Sequence, residues 1–283
     1  MSHPKLLIAS CAALALACSL ITNLDGITTT SDGGNSNSLD AKAPVVDAGA
    51  DVKDAKSPAD TATFCMGQDA DFCADFDESA NLKDGWDNIV TTGGAALVES
   101  TKFISPPRAI HAGSSNAISD AGFLKVLSNL GKGFELKGKT LVRIEADVRF
   151  ESAVYGADDY TQFISWVAQG NMGSPTLGVT GIVRTGANGW AMATATMGPI
   201  VYYPMTTPPP EDKWTHMRAE VGLGTTGTLA LWFDGAIAIA MTSASTATST
   251  PSNVGVVVGY GAPSGYSPAV GMTCDNVVVT LLP

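Results

Sequence analysis

Between residues 142 and 151 apolar and charged side chains alternate strictly: Val142, Ile144, Ala146, Val148 and Phe150 are interleaved with Arg143, Glu145, Asp147, Arg149 and Glu151. A period of two belongs to a strand with one face in a core and the other in solvent, because successive side chains of a strand point to opposite sides. A helix would spread the same charges around its circumference. Comparable runs recur over 160–169, 177–184, 190–197, 214–223, 228–241, 254–260 and 273–282, bounded by Gly, Pro, Asn or Ser clusters such as Gly186-Ala187-Asn188-Gly189. Short strands at this spacing, with no helical period between them, predict an all-β fold, an antiparallel two-sheet β-sandwich or jelly roll.

The pattern begins only at Phe64. From 19 to 63 there is no aromatic residue, and three lysines are scattered among seven aspartates in a background of Ser, Thr, Ala and Gly. Such a stretch buries too little apolar surface to offset the entropy of ordering it, roughly 1 to 2 kcal/mol per residue. It reads as a solvated stalk carrying one domain over 64–283. Ahead of it, Lys5, the apolar run 6–17 and the small residues Ala15-Leu16-Ala17 before Cys18 have the layout of a cleaved export signal. A run of twelve residues is too short to span a bilayer as a helix.

The segment Leu14-Ala15-Leu16-Ala17-Cys18 resembles the lipobox of bacterial lipoproteins, which implies acylation at Cys18 and a lipid anchor in the membrane. Ordinary secretory cleavage after Ala17 fits the same residues. Either route implies an exported protein, and Ser19 after the cysteine favours the outer membrane by the same resemblance. A formal net charge of −11 with no Lys/Arg cluster excludes nucleic acid as a partner, since phosphate binding draws on clustered cations.

Three further segments carry a family resemblance. Trp214-Thr215-His216-Met217-Arg218-Ala219-Glu220-Val221 is followed by Leu229-Ala230-Leu231-Trp232-Phe233-Asp234-Gly235, and the sequence ends on Cys274-Asp275-Asn276-Val277-Val278-Val279. Phe72-Cys73-Ala74-Asp75-Phe76-Asp77 and then Trp86 stand at the front. This order is similar to the concanavalin A-like lectin/glucanase superfamily, especially its laminin-G-like branch. The resemblance implies two curved sheets, adjacent first and last strands, and a concave face that often binds glycans.

The glucanases of that superfamily set Glu-x-Asp and a second Glu on one strand face, and Glu145-Ala146-Asp147 invites the comparison. Arg149 stands where the second Glu should be, and Glu151 lies about 20 Å from Glu145 at about 3.3 Å per residue. Retaining hydrolysis needs carboxyls roughly 5 to 5.5 Å apart. These residues therefore read as a charged solvent face. His111 reads as a structural imidazole and His216 as a surface position.

Asp75, Asp77 and Asp275 are candidate Ca²⁺ ligands, because the resembling fold brings the first and last strands together and Ca²⁺ takes clustered oxygens. Trp166, Trp190 and Trp232 are candidates for stacking on sugar rings; Trp214 reads as core. In Leu229–Phe233 the apolar triplet claims one face, which puts Trp232 on the outer one. Cys65, Cys73 and Cys274 remain after processing, so Cys65 pairs with Cys73, or Cys73 with Cys274. These readings converge on a non-catalytic cell-surface module that binds a glycan or other polysaccharide. A hydrolase or lyase with an unrecognised site and an envelope scaffold protein are the alternatives.

Overall fold

A computed structural model of the protein describes residues 64–76, 85–92, 95–105, 108–114, 126–170, 176–262 and 267–283. Cys18, the stalk over 19–63 and Asp77 lie outside the described residues. Among those described there are fifteen strands and no helix. They are β1 (Phe72–Ala74), β2 (Asn88–Thr92), β3 (Ala95–Glu99), β4 (Ala109–Ser114), β5 (Val126–Glu135), β6 (Leu141–Phe150), β7 (Tyr160–Gln169) and β8 (Thr176–Thr185). The remainder are β9 (Gly189–Ala195), β10 (Val201–Pro204), β11 (Thr215–Gly222), β12 (Gly227–Phe233), β13 (Ala236–Ala244), β14 (Asn253–Ala262) and β15 (Val270–Leu282).

Two antiparallel sheets result. The eight-stranded sheet runs β13-β12-β11-β6-β15-β4-β3, with β1 also beside β15; the seven-stranded one runs β10-β9-β8-β7-β14-β5-β2. The long β15 carries β4 along its first half, where Cys274 faces Ile110, and β1 along its second half, where Phe72 faces Val279. First and last strands are thus adjacent, as the resemblance implies. The run 228–241, read as one strand, is a hairpin. Asp234 and Gly235 have φ of 48° and 78°, and two successive left-handed residues match the twist of a tight two-residue turn.

The core lies between the sheets. On β6 the alternation holds throughout, with Val142, Ile144, Ala146, Val148 and Phe150 buried and the charged residues between them half-buried. Phe150 packs edge-on against Phe163 (5.1 Å between centroids) and lies 4.8 Å from the Trp190 ring. Strand β7 behaves differently: from Thr161 to Ala168 every residue is buried. A strand covered on both faces carries no charge on either, and Thr161–Ala168 has none.

Cys65 and Cys73 form a disulfide with 5.6 Å between Cα atoms, and Cys274 is a buried free thiol. The alternative pairing of Cys73 with Cys274 is corrected by register. Cys73 sits beside Val278, four residues along β15 from Cys274, a separation of roughly 13 Å at 3.3 Å per residue. A disulfide spans at most about 7 Å between Cα atoms. Burial pushes the Cys274 thiol well above its ordinary pKa, so it stays protonated inside the core. Cys65→Ser is expected to cost about 2.5 kcal/mol by the chain-entropy estimate for so short a loop, read from the urea midpoint at constant slope.

Candidate functional site

The outer face of the eight-stranded sheet is a lattice of paired charges. Arg143 Nε donates to Glu220 Oε1 (2.9 Å), and the Arg218 guanidinium reaches the same oxygen (2.5 Å). His216 contacts Asp147 (3.1 Å), His111 contacts Glu151 (3.1 Å), and Arg149 donates to Asp212 (3.3 Å). Burial raises the Glu220 pKa, but hydrogen bonds from Arg218 and Arg143 outweigh it and hold the carboxyl below its ordinary value. Glu145 lies 3.9 Å from Arg218. These groups occupy one another, as a solvated strand face does.

The tryptophans separate by face. Trp232 is half-buried on this outer face, opposite Ile237, and the Arg218 guanidinium covers its ring at 5.0 Å. Trp166 and Trp190 require correction as sugar-stacking candidates, with exposures of 1% and 8% in the main core. The cause is pairing: Trp166 shares its face with core-lining Val256, and the Trp190 indole N–H is held by Glu211 (3.1 Å). Trp214, read as core, is half-buried.

The aspartates also differ from expectation. Asp275 is fully buried at an irregularity in β15, where the register with β6 slips between Asp275 and Val278 and Asn276 takes φ of 51°. Its carboxylate accepts from the backbone N–H groups of Ile104 and Ser105 (3.0 Å each), from Ser105 Oγ (3.1 Å) and from the Asn276 N–H (2.9 Å). Asp75 is buried and accepts from the Cys65 N–H (3.3 Å). Oxygens facing N–H donors are turned away from the geometry a cation needs, and no cluster of metal-ligating side chains occurs among the described residues. Asp75 and Asp275 thus carry N–H donors on their carboxylates, and Asp77, the third expected Ca²⁺ ligand, lies outside the described residues.

The seven-stranded sheet holds a different arrangement. Reading across its strands, register aligns Tyr202, Ala193, Gly181, Ser165, Val257, Gly131 and Asn88 in one row, one residue from each strand. Cross-strand partners share a face. Their chain neighbours Met192, Ile182, Ile164, Val256 and Leu130 are core residues, so the row lies on the outer side of the sheet. Six inter-strand steps at about 4.8 Å make it about 29 Å long.

The row is built from small side chains because its strands alternate large with small. In β14, Val254, Val256, Val258 and Tyr260 enter the core, while Gly255, Val257, Gly259 and Gly261 occupy the outer side or the bulge that displaces the register with β7. A Cβ added at Gly131 would come no nearer than 3.9 Å to Asn88, and one at Gly255 would meet only Val167 at 3.7 Å. Both contacts with described residues are at ordinary van der Waals distance, and both glycines are buried. The Gln162 side chain lies over Gly181, where an added Cβ would be 2.8 Å from its amide nitrogen.

At the β10 end, Val183, Ala191 and Ala193 form a second apolar cluster, apart from the main core, with Tyr160, Ile200 and Tyr202 packed on it. Burial pushes the pKa of Tyr160 and Tyr202 upwards, so both phenols keep their protons. The arrangement is a long row whose middle residues, from Ala193 to Gly131, are buried, with Tyr202 and Asn88 half-buried at its ends. None of these residues stood out in the sequence; the one local signal is glycine at alternate positions of 254–261.

No protein-family model matches the sequence, and no curated protein matches it either. Among solved structures, the chain is similar in fold to the endo-β-1,4-glucuronan lyase from the fungus Trichoderma reesei, at 16% identity and a TM-score of 0.56, covering 75% of this chain and 95% of that one. It is similar also to the cellulose-induced protein Cip1, at 15% identity and a TM-score of 0.50, covering 74% and 96%. The protein is an all-β, two-sheet antiparallel sandwich of the jelly-roll kind.

Proposed function

We propose that the domain over 64–283 is a non-catalytic glycan-binding module, exported and presented at the cell surface on the 19–63 stalk. The observation that supports this is the two-sheet sandwich itself, with the row from Tyr202 to Asn88, about 29 Å long and half-buried at its two ends, as the candidate face. One fold neighbour is a glucuronan lyase, so polysaccharide chemistry occurs on such a sandwich, although a fold alone assigns no function.

Lyase chemistry fits the row less well than binding does. Proton abstraction beside a uronate carboxyl needs a base that is deprotonated at working pH and a group to neutralise the carboxylate. The tyrosines are pushed the wrong way for a base, and the row contains no His, Lys or Arg. The scaffold reading has one observation in its favour: Ser165, Ala193 and Val257 are buried and no Trp lines the floor, which also suits a covering polypeptide.

A glycan array with the full chain tests the proposal. Gly131→Val should reduce binding at least tenfold, since the new side chain stands in the middle of the row, and the melting temperature measured beside it separates lost binding from lost folding. Binding that survives this change but disappears in Trp232→Ala would move the site to the eight-stranded sheet. Absence of any glycan ligand would favour the scaffold reading.

A further inference from the structure

We propose that the sandwich pairs with a second copy of this chain along the side that β10 and β13 close, with the two β13 strands antiparallel about a two-fold axis. This pairing needs no glycan and is independent of the reading above. Topology brings the two edges together: β10 ends one sheet and β13 the other, and Thr206, two residues past β10, donates its N–H to the Ala238 carbonyl (2.8 Å). Four of the seven large apolar side chains that are exposed among the described residues lie here. Met197 and Val201 stand on the β9–β10 hairpin, and Ile237 (53% exposed) and Met241 (67%) on β13.

Charge is absent from the same side. No Asp, Glu, Lys, Arg or His occurs from 186 to 210 or from 235 to 274, although the chain carries a net charge of −11. The opposite side, closed by β2 and β3, is bordered by Asp87, Glu99 and Lys102. Sheet edges are ordinarily blunted by a short strand, a proline or a charge. Strand β10 has the first two, being four residues that end on Pro204; β13 has nine residues and none of the three. From Ile239 to Ala244 it has β12 on one side and, among the described residues, no strand on the other.

Size, charge and symmetry select a second copy as the occupant. At about 3.3 Å per residue the β13 edge is about 30 Å long, and two sheets about 10 Å apart with their outer side chains make this side about 20 Å wide. A pair then buries on the order of 1,200 Å² in total, the lower end of what specific association takes. Two molecules of net charge −11 repel each other except where neither presents charge, and this side is such a place. A two-fold contact also needs a patch that complements itself. Antiparallel pairing over 239–244 sets Ile239 opposite Ala244, Ala240 opposite Ser243 and Met241 opposite Thr242, so neither bulky residue meets its own kind.

Sedimentation equilibrium of the full chain, at about 20 mM and about 150 mM salt, decides the point. The expected mass is twice the 29.0 kDa of one chain, with association at least as tight at the higher salt, where like-charge repulsion is screened. Ile237→Lys and Met241→Lys should each weaken the pair at least tenfold and leave the melting temperature of the separated chains unchanged, since both side chains are exposed. Ile104→Lys, beside Asp275 on another part of the sheet, should leave the pair intact. A single-chain mass at about 100 µM, where even weak specific pairs form, would overturn the pairing. So would a pair that neither β13 variant weakens, one that Ile104→Lys dissociates, one that loosens as salt rises, or a mass that climbs past two chains.

Discussion

Trp166→Ala is expected to lower stability by about 3 to 5 kcal/mol, the loss typical of a large aromatic removed from a core. Trp232→Ala is expected to cost only about 1 to 2 kcal/mol, made up of partial burial and a cation–π contact worth about 0.5 to 1 kcal/mol. The two indoles belong to different layers. Trp166 is enclosed by β8 and β14 in the seven-stranded sheet and by the facing core, and the protein has few ways to collapse around the space it leaves. Trp232 touches Arg218 and Ile237 at the outer side of the other sheet, where water can replace the ring. Urea unfolding of both variants with matched slopes separates the outcomes. If Trp232→Ala proves as damaging as Trp166→Ala, the outer face of the eight-stranded sheet is a second buried layer and its ion pairs are interior.

How far the sequence exposed this architecture depends on how each strand uses its two faces. Strand β6 was legible because one face is core and the other water, so chemistry alternates with geometry. The extents of β7, β11, β14 and β15 were legible to within a few residues as apolar-rich runs bounded by turn residues. Strand β5 was not, because Ser128, Asn129, Gly131, Lys132 and Gly133 interrupt its apolar positions, and β10 is only four residues long. The seven-residue row escaped because each strand contributes one residue, and only register brings them together. A search for large aromatics found tryptophans, but burial favours exactly those side chains for the core; Trp166 and Trp190 went there. Asp275 was noticed for the right neighbourhood and the wrong partner: the terminal strands do meet beside it, and a slip in β15 then turns its carboxylate onto backbone N–H groups.

That buried carboxylate makes stability depend on pH in a direction opposite to most acids. Burial raises the Asp275 pKa to about 6 from an ordinary 3.8, and the hydrogen bonds from Ser105, Ile104 and Asn276 only partly oppose it. Between those two values the folded protein holds a proton that the unfolded chain has lost. Stability contributed by this group is therefore complete below about pH 4 and declines as pH rises through 6, by about 3 kcal/mol for a shift of about two pK units. Glu151 and Glu220 act the other way, since hydrogen bonding to His111 and to Arg218 and Arg143 holds them below their ordinary values. Their loss appears as pH falls below about 4.5, which leaves the interval from about 5 to 6.5 to Asp275. Asp275→Asn removes the titration and leaves only one accepting oxygen, so amide hydrogens face either the Ile104 and Ser105 N–H groups or the Asn276 N–H, and the variant should be less stable throughout and flatter with pH across that interval. Urea midpoints taken every half pH unit from 4 to 7.5 measure both features. Parallel profiles for the two proteins would show that Asp275 is ionised throughout, its four donors outweighing burial, and that the decline with pH has another source.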